Sequence, residues 1–231
     1  MSFRFKQFFI EDSKCAMKVG TDGVLLGAWS PTPALPMEGR ECRILDVGTG
    51  SGLIARMLMQ RCPEAEVEGI DIDEAAVEQA CENGVKAFCA RLQEWQGMYG
   101  LIVSNPPYFQ NSLKNPDEGR KTARHTDTLS YAELVKHSAR LLTEGGQLAL
   151  ILPAEAENEV RQLAAAENLF LTHATRVYSK ESKPARRVLL CFAKLEIRDW
   201  KLESLEDTLV LEDEKGGRSL PYQNLCKDFY L

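Results

Sequence analysis

No apolar run in the 231 residues approaches the roughly 20 needed to cross a bilayer as a helix, so a helical membrane protein is excluded. Nor do the first ten residues keep the unbroken apolar stretch of a secretory signal, because Arg4 and Lys6 interrupt it. The expectation is a cytoplasmic protein. The seven cysteines (Cys15, Cys42, Cys62, Cys81, Cys89, Cys191 and Cys226) stand singly, with no Cys-x-x-Cys, and the three histidines do not fall at metal-ligand spacing. Reduced thiols and no bound metal are expected. Repeats and low-complexity tracts are lacking. So is an excess of basic charge: 28 Lys and Arg against 34 Asp and Glu leave −6, which alone argues against a nucleic-acid partner. What remains is a globular composition, 44% hydrophobic and 27% charged, in a length that suits one domain.

The linker-like stretch Ser30–Gly39, with Pro31, Pro33 and Pro36, separates an N-terminal cap and linker (1–39) from a core (40–194), and an acidic C-terminal appendage (195–231) follows. In the core, β-type runs alternate with segments of helical period. The runs are Arg43–Val47, Val67–Asp71, Val85–Cys89, Leu101–Ser104 and Leu148–Leu152; the helical segments are Leu53–Gln60, Glu74–Glu82, Tyr131–Leu142 and Glu155–Asn168. Such alternation predicts an α/β fold with a mostly parallel sheet covered on both faces. Phe170–Tyr178 and Val188–Ala193 have a connection too short for a crossover, so they read as an antiparallel hairpin closing the edge of a seven-stranded sheet. Within the acidic stretch Leu195–Glu214, Leu209–Leu211 reads as a short added strand, and Tyr222–Tyr230 reads as a final helix that docks Phe229 or Tyr230.

Gly48, Gly50 and Gly52 stand directly between the first core strand and the first core helix, where the backbone turns sharply and a ligand can approach it. Their Gly-x-Gly-x-Gly spacing differs from the Gly-x-Gly-x-x-Gly of dinucleotide sites. Asp46, at the end of that strand, would repel a pyrophosphate and attract the ammonium of an amino-acid moiety. Asp71 ends the second strand about 20 residues past the glycines, where a carboxylate accepts from ribose hydroxyls. Together they describe a nucleoside joined to a zwitterion. Asp73 reads as a helix N-cap.

Asn105-Pro106-Pro107-Tyr108 follows the strand Leu101–Ser104, at the carboxyl end of a strand in the same sheet as the glycine loop, which is where such folds bind ligands. An exocyclic amino or carboxamide nitrogen is a poor nucleophile because its lone pair is delocalised. Two acceptors aimed at its N–H groups, the Asn105 side-chain carbonyl and the Pro106 carbonyl, would release that lone pair, and the prolines pre-set the geometry. Tyr108 offers a face for a base taken out of its stack.

Residues 42–152 resemble the class I, Rossmann-like S-adenosylmethionine-dependent methyltransferases, and Asn105–Tyr108 in that setting resembles the amino-methyltransferases of adenine, guanine or glutamine-amide nitrogen. Phe3–Phe9, Cys15–Trp29, Ser104–Phe109 and Pro184–Leu190 extend the resemblance over nearly the whole chain, to the bacterial N6-methyltransferases of the adenine next to the anticodon of a valine tRNA. The resemblance implies S-adenosylmethionine as cofactor and tRNA as partner; a monomer is expected. It puts Lys18, Thr21 and Asp22 in a loop over the cofactor, and Asp46, Gly48, Gly50, Gly52, Asp71, Ile72, Arg91, Leu92 and Asn105 around it. Without it, Gly20–Gly23 reads as a surface turn with Thr21 as a helix cap. Two departures stand out. Relatives usually carry an acidic residue facing the cofactor's adenine where this chain has Arg91, and the connection Glu82–Lys86 lacks about ten residues.

Split by region, the charge admits RNA. Lys180, Lys183, Arg186 and Arg187 form one basic patch and Lys121, Arg124 and His125 belong to another, whereas residues 195–214 hold eight acids and two bases. Two rivals remain: the same motif acting on a release-factor glutamine, and a non-catalytic RNA-binding module with this fold. A nicotinamide-dependent oxidoreductase fails on glycine spacing and on Asp46.

Overall fold

The computed structural model describes residues 2–33, 42–107, 129–195 and 203–230. A short antiparallel hairpin, β1 (Ser2–Arg4) and β2 (Phe9–Glu11), precedes helix α1 (Thr21–Trp29). The core then runs β3 (Cys42–Val47), α2 (Leu53–Arg61), β4 (Ala65–Asp71), α3 (Glu74–Glu82), β5 (Lys86–Cys89), β6 (Tyr99–Ser104), α4 (Tyr131–Leu141), β7 (Leu142–Pro153), α5 (Glu157–Ala166), β8 (Leu169–Tyr178) and β9 (Arg187–Lys194). β10 (Leu205–Val210) and α6 (Leu220–Cys226) complete it.

The strands form one sheet in the order β10-β8-β9-β7-β6-β3-β4-β5, parallel except that β9 runs antiparallel to both β7 and β8. Side chains alternate between two cores, as period 2 requires. In β6, Leu101 and Val103 pack beneath α1 and α2 with Leu25 and Met57, while Ile102 faces α4 and α5 with Val135 and Val160. Burial on both faces explains why these strands read as unbroken apolar runs. From β3 the chain winds outward through β4 and β5, then returns to β6 on β3's other side. That reversal opens a crevice at the carboxyl ends of β3 and β6. The glycine loop and Asn105 lie at those two strand ends.

The sheet has an eighth strand beyond the expected hairpin. β10 pairs in parallel with β8, from Leu205 opposite His173 to Val210 opposite Tyr178, so the hairpin does not form the edge. The short strand expected at Leu209–Leu211 overlaps its end, and its acidic composition concealed the start, because those acids meet bases on the body. Glu206 lies 3.0 Å from Arg161 and 3.2 Å from Arg176, Glu212 lies 3.3 Å from Lys180, and Asp207 bonds Thr175 and His173. Helix α6 is shorter than expected, capped by Ser219 at its start, and Phe229 beyond it is buried. The brief α3–β5 connection closes as a turn through Gly84, whose φ is +83°. Within it Asn83 Nδ2 donates to Glu11 O (2.7 Å) and Ser51 O (2.8 Å), fastening the N-terminal hairpin to the glycine loop.

Candidate active site

Gly48, Gly50 and Gly52 all have positive φ (+70°, +55° and +78°), a region in which side chains are strained. Their surroundings differ. A Cβ on Gly48 or Gly50 would meet nothing within 4 Å, whereas one on Gly52 would stand 2.7 Å from Val85 Cγ2. The first two leave backbone open to a ligand, and the third lets the loop pack on the turn before β5.

The two strand-end carboxylates divide similarly. Asp46 is fully buried and does not line the cavity, which corrects the expectation that it meets an ammonium group. Its Oδ2 accepts from Thr49 Oγ1 (2.8 Å) and Ala55 N (3.3 Å), and Oδ1 has no partner among the described residues. Burial pushes its carboxyl up to about 7. Asp46 thus braces the glycine loop from beneath. Asp71 stands at the cavity: Oδ2 accepts from Gly50 N (2.9 Å) and Oδ1 from Asp73 N (3.1 Å). A carboxylate has about four acceptor directions, so capacity remains for a diol. Asp73 caps α3 as expected, accepting from Ala75 N.

A cavity of about 670 Å³ joins these parts. Its walls include Lys18, Thr21, Asp22, Gly48, Gly50, Asp71, Ile72, Arg91, Leu92, Asn105, Pro106 and Pro107, which sequence had selected. Lys18 holds its own loop, with Nζ donating to Asp12 O (2.7 Å) and Ser13 O (3.3 Å). Thr21 is the first residue of α1 and not its cap; Gly20 occupies the cap position without a side-chain bond. Tyr108, Lys121, Arg124 and His125 lie outside the described residues. Lys183 and Arg186 are exposed on the β8–β9 connection. Arg187, expected at phosphates, donates through Nε to Asp22 Oδ2 (2.8 Å), which fastens α1 to β9.

Sequence reasoning missed several supports. Thr49 bonds Asp46, and Ser104 Oγ donates to Val47 O (2.8 Å), joining the ends of β6 and β3. Glu133 lines the cavity while closing a capping box with Ser130, a signature readable in Ser130-Tyr-Ala-Glu133.

Residues 32–178 match the model of the methyltransferase small domain. The tRNA1(Val) (adenine(37)-N6)-methyltransferase of Parabacteroides distasonis is 44% identical, over 99% of this chain and 97% of its own. The enzyme of the same description from Bacteroides fragilis is 40% identical over the same shares. Among solved structures, a predicted O-methyltransferase from Agrobacterium tumefaciens shares the fold, with a TM-score of 0.66 at 17% identity over 90% of this chain and 96% of that one. Geranyl diphosphate C-methyltransferase from Streptomyces coelicolor, solved with S-adenosyl-L-homocysteine, gives 0.53 at 13% identity, over 73% and 76%. A domain match across most of the core and likeness over nearly the full length lead to one conclusion: the chain belongs to the methyltransferase small-domain family and, within it, to the bacterial tRNA1(Val) (adenine(37)-N6)-methyltransferases.

Proposed function

We propose that this chain transfers the methyl group of S-adenosylmethionine to N6 of adenine 37 in tRNA1(Val), the reaction named for its relatives. One observation carries the reading: Asn105, Pro106 and Pro107 open into the same cavity as the glycine loop and Asp71. The cavity fits the cofactor, since Gly48 and Gly50 leave open the space that a Cβ would fill, and Asp71 offers acceptors to a ribose. When bound, S-adenosylmethionine supplies an electrophilic methyl on a sulfonium.

The protein's part is to orient and polarise. The Asn105 carbonyl and the Pro106 backbone carbonyl accept the two N–H bonds of the adenine amino group, drawing its lone pair out of the ring and toward the methyl. The nitrogen acidifies as its new bond forms, so no strong base is required. Tyr108 supplies the stacking face for the displaced base. Lys121, Arg124, His125, Lys183 and Arg186 contact phosphates, which position the RNA without reading its sequence. In this reading the chain works as a monomer, in the cytoplasm with its RNA substrate. No described helix is long and apolar enough to cross a membrane.

Incubation with labelled S-adenosylmethionine and total tRNA, followed by nucleoside mapping, tests the reading. It predicts N6-methyladenosine at position 37 of tRNA1(Val). Label in a protein glutamine, in another nucleoside or in nothing contradicts it.

A further inference from the structure

Arg91 leaves a gap in the site. A guanidinium has no acceptor, so it cannot receive the N–H bonds of an adenine amino group. The acceptor must come from elsewhere on the same wall. β4 and β5 pair with Asp71 opposite Cys89, and Ala90 N donates to Asp71 O (2.9 Å), so residues 90–93 leave the sheet beside Asp71 and Ile72. A base carried by a ribose at Asp71 can extend along this side, away from the glycines.

Helix α4 is fastened to that segment. Arg140, in the last turn of α4, donates to the carbonyls of Leu92 (3.3 Å) and Trp95 (2.8 Å), and the first turn of the helix meets the same segment at the cavity. There Gln93 Nε2 donates to Glu133 Oε1 at 3.3 Å, and both residues line the cavity. The capping box fills Glu133 Oε2, which takes Ser130 N (3.0 Å) and Ser130 Oγ (2.7 Å). Oε1 accepts only from Gln93 among the described residues, which leaves one acceptor direction open on it.

We propose that Glu133, steadied by Gln93, accepts the exocyclic amino group of the cofactor's adenine and replaces the acid missing at position 91. This rests on the reading of the cavity as the S-adenosylmethionine site. Bonds from Ser130 and Gln93 also hold the Glu133 carboxyl below its ordinary value, so it is an ionised acceptor at neutral pH. Capping of α4 alone uses Oε2 and leaves the Gln93 bond to Oε1 without a part.

The test is calorimetric binding of S-adenosyl-L-homocysteine and of S-inosyl-L-homocysteine, in which a carbonyl replaces the amino group, to wild type, E133Q and E133A. E133Q keeps a residue able to close the capping box, and its melting temperature reports the fold. Wild type should prefer the adenosyl compound by at least about tenfold, the scale of one hydrogen bond to a charged group. E133A should bring the ratio close to one without weakening the inosyl compound, and E133Q should fall between. A wild-type ratio near one, or variants that weaken both compounds equally, would overturn the assignment alone. Failure of wild type to bind either compound would overturn the cofactor reading with it.

Discussion

Asp46 and Asp71 are chemically identical, and their surroundings separate them. Asp46 is an acid whose folded value, about 7, lies above its ordinary 3.8, so the folded state holds its proton more tightly. The stability it contributes is full below about pH 4 and is lost as pH rises toward 7, at up to about 1.4 kcal/mol per pH unit. Urea unfolding of wild type and Asp46→Asn at both ends of that window checks this. The stability of wild type relative to the variant should fall by a few kcal/mol as pH rises, and a constant difference would contradict burial as the cause. Asp71 has its effect in the bound state. Asp71→Ala should lose about 1.5–3 kcal/mol of affinity for S-adenosyl-L-homocysteine, as expected for hydrogen bonds to a charged group. Unchanged affinity by calorimetry would displace the ribose from that strand end.

Among the elements, the glycine loop makes two separable demands on its residues. Gly50→Ala should cost about 1–2 kcal/mol of stability through its positive φ and, by putting a methyl into the cavity, reduce cofactor affinity. Gly52→Ala adds overpacking against Val85 to a similar strain, so about 2–5 kcal/mol of stability should go. Thermal melts and calorimetry on both variants decide, and a larger stability loss at Gly50 would reverse the assigned roles. This loop was legible in sequence because glycine spacing and strand context are local. The α/β order was legible for the same reason, since buried strands and amphipathic helices carry their periods along the chain. β10 was legible only at its end, where Leu209–Leu211 reads as a strand, because Glu206, Asp207 and Glu212 look like a solvated tail until Arg161, Arg176 and Lys180 are brought beside them. Asn83 was equally hidden, its partners Glu11 and Ser51 being distant in sequence. Asp46 was legible as important but misread in role, since composition does not reveal which side of a turn a carboxylate occupies.

For the molecule as a whole, a net charge of −6 coexists with an RNA substrate because the acids of the C-terminal strand pair with the body while Lys183 and Arg186 face solvent. Replacing both with alanine should weaken tRNA binding and lower the magnitude of the slope of log K against log salt by about 1–2, leaving cofactor affinity alone. Arg187→Ala should act differently, loosening α1 through loss of the Asp22 pair. An unchanged slope in the double variant would move the RNA to another face.

The most direct measurement is single-turnover methylation of a tRNA1(Val) transcript by wild type and Asn105→Ala at saturating cofactor, with separate binding isotherms. An acceptor acting in the transition state should, when removed, slow the methyl-transfer step by about 10²–10³-fold while both dissociation constants move little. N6-methyladenosine formed at nearly the wild-type rate by Asn105→Ala would contradict the account.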